Sequence, residues 1–104
     1  MIELIKTDVF DHWLKALRDV RARARIEKRL DRLALGNPGD VRAVGEGVSE
    51  LRIDYGPGYR VYYLRRGQLV ILLLCGGDKR SQDADIATAK AIAAKLKDEY
   101  GREI

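Results

Sequence analysis

The chain has 104 residues, of which 46% are hydrophobic and 35% are charged, and its net charge is +4. This balance predicts one soluble globular domain over residues 1–104 and excludes a disordered or fibrous protein. The longest apolar run, Leu69–Cys75, is far shorter than the roughly 20 residues of a membrane-spanning helix, and residues 1–6 lack the layout of a signal peptide. The single cysteine agrees with a reducing compartment. We therefore expect a cytoplasmic protein with no membrane partner.

The positive charge is concentrated in one part of the chain. Residues 13–35 contain eight basic and three acidic residues, a net charge of +5, whereas the rest of the chain has 12 basic and 13 acidic residues. A concentrated basic surface favours a polyanionic partner, and nucleic acid is the commonest one.

Two amphipathic helices are predicted near the start of the chain, after a short strand-like segment at Ile2 and Leu4. Thr7 or Asp8 can provide the N-cap of the first helix. The second helix ends at Gly36-Asn37-Pro38-Gly39, because glycine suits the position after a helix and proline blocks its continuation. The two apolar faces consist of Phe10, Trp13, Leu14 and Leu17 in the first helix and Ala22, Ile26, Leu30 and Leu33 in the second.

A stripe of five arginines recurs every three or four residues along these helices, comprising Arg18, Arg21, Arg25, Arg29 and Arg32. The stripe is continuous if the helices run together, and a bend near Val20 would split it. We predict that it contacts a nucleic acid. A solvated face explains the pattern equally well, since arginine is a good helix former.

The middle of the chain has the alternation of polar and apolar residues that is typical of strands. A weak candidate strand at residues 42–46, where glycines indicate a bulge, is followed by stronger candidates at 49–55, 59–66 and 68–76. Residues 70–74 are apolar on both faces and therefore belong inside the sheet.

A last helix is predicted from Gln82 or Asp83 onwards. Its apolar stripe consists of Ile86, Ala89, Ala93, Leu96 and Tyr100. The predicted fold is α+β, with two N-terminal helices packed on an antiparallel sheet of three to four strands and a C-terminal helix.

No metal or cofactor chemistry is indicated by the sequence. One histidine and one cysteine do not provide the ligand spacing of a zinc site. The glycines at 56–58 and 76–77 match neither a Walker motif nor a dinucleotide-binding motif. We expect His12 to be exposed on the first helix, Cys75 to be a small buried side chain, and the protein to need no metal and no cofactor.

A group of polar residues is predicted to share one face of the sheet. Strand alternation places Glu50 with Arg52 and Arg60 with Tyr62, and Lys79 follows the third strand. Metal-independent RNA cleavage needs a base for the 2′-hydroxyl, cations around the phosphorane and a proton donor for the leaving oxygen. These residue types can supply all three. An ordinary solvated surface with a Glu50–Arg52 ion pair is the alternative.

Two stretches resemble a known family. Residues 50–63, ELRIDYGPGYRVYY, resemble the central hairpin of the HigB-like toxins related to phage Gp49 proteins. Residues 72–86, LLLCGGDKRSQDADI, resemble the stretch that follows that hairpin. The chain is thereby identified as a member of the RelE/ParE superfamily. The resemblance implies the RelE-like toxin fold and a type II toxin that cleaves mRNA on the ribosome, inhibits translation and has a helix-turn-helix antitoxin.

The resemblance also implies roles for single residues. Arg52, Arg60 and Lys79 match positions where the relatives carry cations, and Glu50 matches a general base proposed for some of them. These four are the predicted catalytic residues. Arg80 is expected to contact RNA together with the arginine stripe.

The proton donor is not assigned by the resemblance. Relatives often carry a tyrosine near a short C-terminal end, whereas a full helix follows here and its Tyr100 fits the apolar stripe. Lys79 is the first candidate, ahead of Tyr59 and Tyr62. Two other functions remain open: a ParE-like inhibitor of DNA gyrase on the same fold, and a binding module without catalysis.

Overall fold

A computed structural model describes residues 1–100 of the chain, which form five strands and three helices. The strands are β1 (Glu3–Lys6), β2 (Val41–Gly45), β3 (Val48–Ile53), β4 (Tyr59–Arg66) and β5 (Val70–Asp78). The helices are α1 (Asp8–Ala16), α2 (Val20–Ala34) and α3 (Gln82–Tyr100), and a short 3₁₀ turn, Lys79–Ser81, joins β5 to α3. The α+β class predicted from the sequence is confirmed.

All five strands form one mixed sheet with the order β1-β5-β4-β3-β2. Neighbours from β2 to β5 are antiparallel, whereas β1 lies parallel to β5, with Leu4 opposite Ile71. The prediction of an antiparallel sheet of three to four strands is therefore wrong, because Glu3–Lys6 adds a parallel edge strand. Parallel neighbours need a long connection, so no turn in the sequence marks this pairing.

The first two helices are separate and have their own caps. Thr7 Oγ1 accepts a hydrogen bond from Phe10 N (3.0 Å) at the start of α1, and Asp19 Oδ1 accepts one from Arg21 N (2.9 Å) at the start of α2. An N-cap residue is not helical. Asp19 therefore separates the helices and splits the arginine stripe, with Arg18 in the break.

The sheet lies between two helical layers. The layer of α1 and α2 buries Phe10 against Leu51, and α3 covers the opposite face, where Tyr62 and Ala89 are buried. The face of β3 and β4 that was expected to be solvated is therefore partly covered by α3. The side chain of Tyr100 lies outside the described residues. Within residues 1–100, every helix is too short or too polar to cross a membrane.

Two glycines allow both helical layers to approach β5 closely. A Cβ atom at Gly76 would overlap the ring of Trp13 on α1, and one at Gly77 would overlap the carboxylate of Asp85 on α3. Successive residues of a strand face opposite sides of the sheet. The glycine pair therefore fixes α1 and α3 against the strand that leads into Lys79.

Candidate functional site: a cationic cleft at the end of the sheet

The register of three strands brings polar side chains together at one end of the sheet. Arg52 on β3 lies opposite Arg60 on β4, and Arg60 lies opposite Gly77 on β5. Residues opposite each other point to the same face. At Gly77 the place of a side chain is taken by the carboxylate of Asp85 on α3. A cleft of about 300 Å³, here called the cationic cleft, is lined by Asp40, Arg52, Ile53, Asp54, Gly58, Arg60 and Lys79. Three of the four residues predicted to be catalytic thus line one cleft.

The three cations of this cleft differ in their partners. Arg52 Nη2 forms an ion pair with Asp40 Oδ1 (3.1 Å) rather than with Glu50. The Arg60 side chain is only 11% exposed, and its Nη1 donates to a backbone carbonyl at 2.6 Å. Lys79 is exposed and has no hydrogen bond or ion pair within residues 1–100. The cleft therefore presents one ammonium group without a counter-ion beside two guanidinium groups that are held in place.

The backbone of the Lys79 turn is fixed by a capping box. Asp78 Oδ1 accepts a hydrogen bond from Arg80 N at 2.8 Å, and Ser81 Oγ lies 3.4 Å from Asp78 N. The side chains of Asp78 and Arg80 also form an ion pair at 3.2 Å, and this contact lowers the pKa of Asp78 and raises that of Arg80. Arg80, predicted to contact RNA, is exposed but is not among the residues that line the cationic cleft.

Two aspartates that were not predicted also line the cationic cleft. Asp40 is held by Arg52, whereas Asp54 is exposed and has no hydrogen bond or ion pair within the described part of the chain. Asp54 lies two residues after Arg52, and this spacing was the signal available, since residues i and i+2 share a face of a strand. Both carboxylates are exposed, and Asp54 is the one that no cation within residues 1–100 pairs with.

Glu50 was expected on a solvated face but is 0% exposed, because α3 covers it. Its Oε2 accepts hydrogen bonds from Tyr62 OH and from Gln82 Nε2 on α3, both at 2.9 Å. Arg60 Nε lies 3.7 Å from the same oxygen, and Arg42 Nη2 lies 3.3 Å from Oε1. A charge is buried only where such partners compensate its lost hydration. Glu50 thus lies behind Arg60 and does not line the cleft.

Neither of the tyrosines considered as proton donors lines the cationic cleft. Tyr62 is fully buried, and burial, together with its hydrogen bond to Glu50, raises its pKa far above the ordinary value. Tyr59 packs edge-on against Trp13, with the ring centroids 6.4 Å apart. Lys79 is the predicted proton donor that reaches the cleft.

A second cleft, here called the helical cleft, adjoins the cationic cleft along α2. Its volume is about 310 Å³, and it is lined by Arg25, Lys28, Arg29, Arg32, Ile53 and Asp54. Ile53 and Asp54 line both clefts. The two clefts therefore form one continuous surface that carries cations from α2 and from the sheet.

One arginine of the stripe holds the protein backbone. Arg29 was expected in solvent, but its Nη1 donates to Arg52 O at 2.6 Å and its Nη2 to Pro38 O at 2.9 Å. Burial lowers the pKa of its guanidinium. The expectation of a solvated side chain is wrong for Arg29, because the end of β3 and the loop after α2 meet around it.

The other arginines of the stripe are exposed and have different neighbours. The Arg25 guanidinium lies over the ring of Tyr55, 4.6 Å from its centroid. Arg32 is exposed at the rim of the helical cleft. Arg18 and Arg21 are exposed as well, but neither is among the residues lining the two clefts. The stripe therefore contributes to the site mainly through its C-terminal half.

Two further residues were expected to have no catalytic role. Cys75 is buried, and burial raises the pKa of its thiol to about 12, which makes it a poor nucleophile. His12 is exposed on α1, as predicted. Within residues 1–100, no group of three or more His, Cys, Asp or Glu side chains is placed to hold a metal ion.

Comparison with known proteins identifies the family. Residues 12–97 match the family described as "Phage derived protein Gp49-like (DUF891)". An uncharacterized protein of Haemophilus influenzae is 48% identical over 95 residues, which cover 91% of this chain and 96% of that relative. The family match extends over every residue of both clefts. The chain belongs to the Gp49-like family of phage-derived proteins.

Proposed function

We propose that this protein is the toxin of a type II toxin–antitoxin pair and that it cleaves mRNA on the ribosome at the cationic cleft. The observation that carries the proposal is the position of Lys79, a cation without a counter-ion within residues 1–100, beside Arg52 and Arg60. Such a group of cations can bind the oxygens of a phosphate diester through charge-assisted hydrogen bonds. Membership of the Gp49-like family and the resemblance to HigB-like toxins support the same function.

The proposed reaction needs no metal. Asp54 removes the proton of the ribose 2′-hydroxyl, the oxygen attacks phosphorus, and the bond to the 5′-oxygen breaks to leave a 2′,3′-cyclic phosphate. Arg52 and Arg60 stabilise the negative charge of the phosphorane, and Lys79 donates a proton to the leaving oxygen. We assign the base to Asp54 rather than to Glu50, because the Glu50 carboxylate is enclosed by protein.

The proposed substrate is a single RNA strand that spans both clefts. The scissile phosphate lies in the cationic cleft, and flanking phosphates lie near Arg25, Lys28 and Arg32 in the helical cleft. A groove that follows the backbone of a strand with cations binds nucleic acid with little dependence on sequence. The exposed Arg18, Arg21 and Arg80 are proposed to contact ribosomal RNA around this groove.

The proposed partners are the ribosome, mRNA and a helix-turn-helix antitoxin, and the proposed site of action is the cytoplasm. Growth arrest after induction, relieved by co-expression of the neighbouring gene's product, is the expected phenotype. Pulse labelling tests the class of target. Early loss of methionine incorporation supports cleavage of mRNA, whereas early loss of thymidine incorporation contradicts it and identifies a gyrase inhibitor. Normal incorporation of both precursors identifies a binding module.

A matched pair of variants connects the phenotype to the cleft. Lys79→Ala removes the cation without a counter-ion, and Lys95→Ala removes an exposed lysine of α3 that lines neither cleft. We expect Lys79→Ala to abolish growth arrest and mRNA cleavage by primer extension, and Lys95→Ala to retain both. Equal activity of the two variants would place the reaction elsewhere on the molecule.

A further inference from the structure

We propose that Gln82, Tyr62 and Glu50 form a positioning network that holds the Arg60 guanidinium in the cationic cleft. The inference concerns residues that do not themselves line the cleft. One of its two tests, which measures the cleavage rate and is called the activity arm, rests on the proposed RNA cleavage. The other test, which uses NMR and is called the structural arm, does not.

A single carboxylate oxygen is the centre of the network. Glu50 Oε2 accepts a hydrogen bond from Tyr62 OH and one from Gln82 Nε2, each at 2.9 Å, and the same oxygen faces Arg60 Nε at 3.7 Å. Arg60 Nη1 is held separately by Gly58 O at 2.6 Å. Nη1 is thus held by a hydrogen bond, and Nε is buried within ion-pair distance of the Glu50 carboxylate but has no hydrogen bond of its own within residues 1–100. Nη2 likewise has no hydrogen-bond partner in this part of the chain. This geometry leaves Nη2 for a ligand in the cleft.

Stability alone does not explain a buried carboxylate at this position. Glu50 shares its face of β3 with Val48 and lies opposite Tyr62, and both belong to the apolar cluster on this side of the sheet. An apolar side chain at this position would avoid the cost of desolvating a charge. Buried ion pairs are often no more stabilising than apolar residues of the same size. The two neutral donors fix the orientation of the carboxylate, and inside the protein such hydrogen bonds are stronger than in water. What the network supplies is a fixed anion directly behind a cation of the cleft.

The hydrogen bond from Gln82 also connects the two sides of the cleft. Gln82 is the first residue of α3 and directly follows the Lys79–Ser81 turn. Its side chain reaches Glu50 on β3, which faces Arg60 on β4. The contact thus ties α3 to the carboxylate behind Arg60, in addition to the backbone pairing that places Arg60 opposite Gly77. Loss of the contact is expected to misplace Arg60 without removing any charge from the cleft.

A double-mutant cycle tests the activity arm. Gln82→Met keeps the length of the side chain and removes its donor, and Gln68→Met is the matched control at an exposed glutamine. We expect Gln82→Met to lower the single-turnover cleavage rate about tenfold, with unchanged affinity for RNA, and to have less than about a twofold effect in an Arg60→Lys background. Equal effects in both backgrounds would show that Gln82 does not act through Arg60 and would overturn the proposal.

The structural arm uses the protein without RNA. In ¹⁵N NMR spectra, the Arg60 Nε–Hε group of the wild-type protein is expected to give a resolved signal that exchanges slowly with water. Gln82→Met should broaden this signal or speed its exchange with water. If Gln82→Met unfolds the protein, Tyr62→Phe, which keeps the ring, is the variant to measure, and the same change in the signal is expected. An unchanged Arg60 signal in folded variants would refute the network. A changed signal in a protein that cleaves no RNA would retain the network and refute the proposed function.

Discussion

Replacement of Lys79 by alanine is the sharpest test of the cationic cleft. The cleft is lined by three cations and two carboxylates, so its net charge is +1, and Lys79→Ala reduces that charge to zero. Arg52 already faces Asp40, and Arg60 already faces Glu50. Lys79 is therefore the cation whose charge is least compensated. Its removal should weaken the interaction with a bound phosphate more than the removal of an ordinary exposed lysine would.

The expected loss of activity is large, and the expected loss of stability is small. Removing one donor from an oxyanion site costs about 3 kcal/mol, or roughly a hundredfold in rate. The free energy of unfolding should change by no more than about 0.5 kcal/mol, as for other exposed side chains without partners. The assay is single-turnover cleavage of a short mRNA on purified ribosomes, with Lys95→Ala as the control for loss of an exposed lysine.

Replacement of Lys79 by arginine separates its two proposed roles. An arginine keeps the positive charge but does not deprotonate. Activity near the alanine level would show that Lys79 donates a proton to the leaving oxygen, and activity near the wild-type level would show that it only stabilises charge. A folded Lys79→Ala protein that cleaves mRNA at the wild-type rate would refute the reasoning for the whole cleft.

Three further outcomes are expected. Asp54→Asn should lower the cleavage rate at least about a hundredfold, because a general base contributes that much. Binding of an uncleavable substrate, in which hydrogen replaces the scissile 2′-hydroxyl, should be unchanged. Weaker binding with a normal cleavage rate would contradict the role of Asp54 as the base. Combined substitution of Arg25, Lys28 and Arg32 by glutamine should weaken sedimentation with ribosomes and flatten its salt dependence, whereas unchanged sedimentation would make the helical cleft an ordinary solvated surface. Arg29→Met should lower the free energy of unfolding, measured in urea, by about 1–3 kcal/mol, because three backbone carbonyls lose a charged donor. An unchanged midpoint would refute its structural role.

Much of the fold could be predicted from local patterns. The apolar spacing of the three helices, the Thr7 cap and the bulge near Gly45 all depend on neighbouring residues, and each is confirmed. The strand-like segment at the start of the chain was predicted, but its parallel pairing was missed because its partner lies on β5, far along the chain. Local periodicity carries no signal for such a pairing.

The candidate site could be predicted only in part. Alternation correctly placed Arg52 and Arg60 on one face, and Lys79 beside them. It also placed Glu50 on that face, but it could not show that α3 covers part of it. The burial of Glu50 on β3 depends on the helix that packs over it. That packing of α3 on the sheet is set by the close approach of Asp85 to Gly77 on β5, and the sequence of β3 carries no sign of it.

Two charged residues, Glu50 and Arg29, are more enclosed than expected, and both contact residues that line the cationic cleft. Glu50 contacts Arg60 of the cationic cleft, and Arg29 of the helical cleft donates to the backbone carbonyl of Arg52. A sequence departs from the rule that charged residues face water mainly where function requires it. Both departures fix a residue that lines the cationic cleft, one through its side chain and the other through its backbone. Glu50 thus faces the Arg60 guanidinium from behind, and Arg29 holds the backbone that carries Arg52. Under the proposed function, a phosphate that binds in the cleft would meet cations that need little rearrangement.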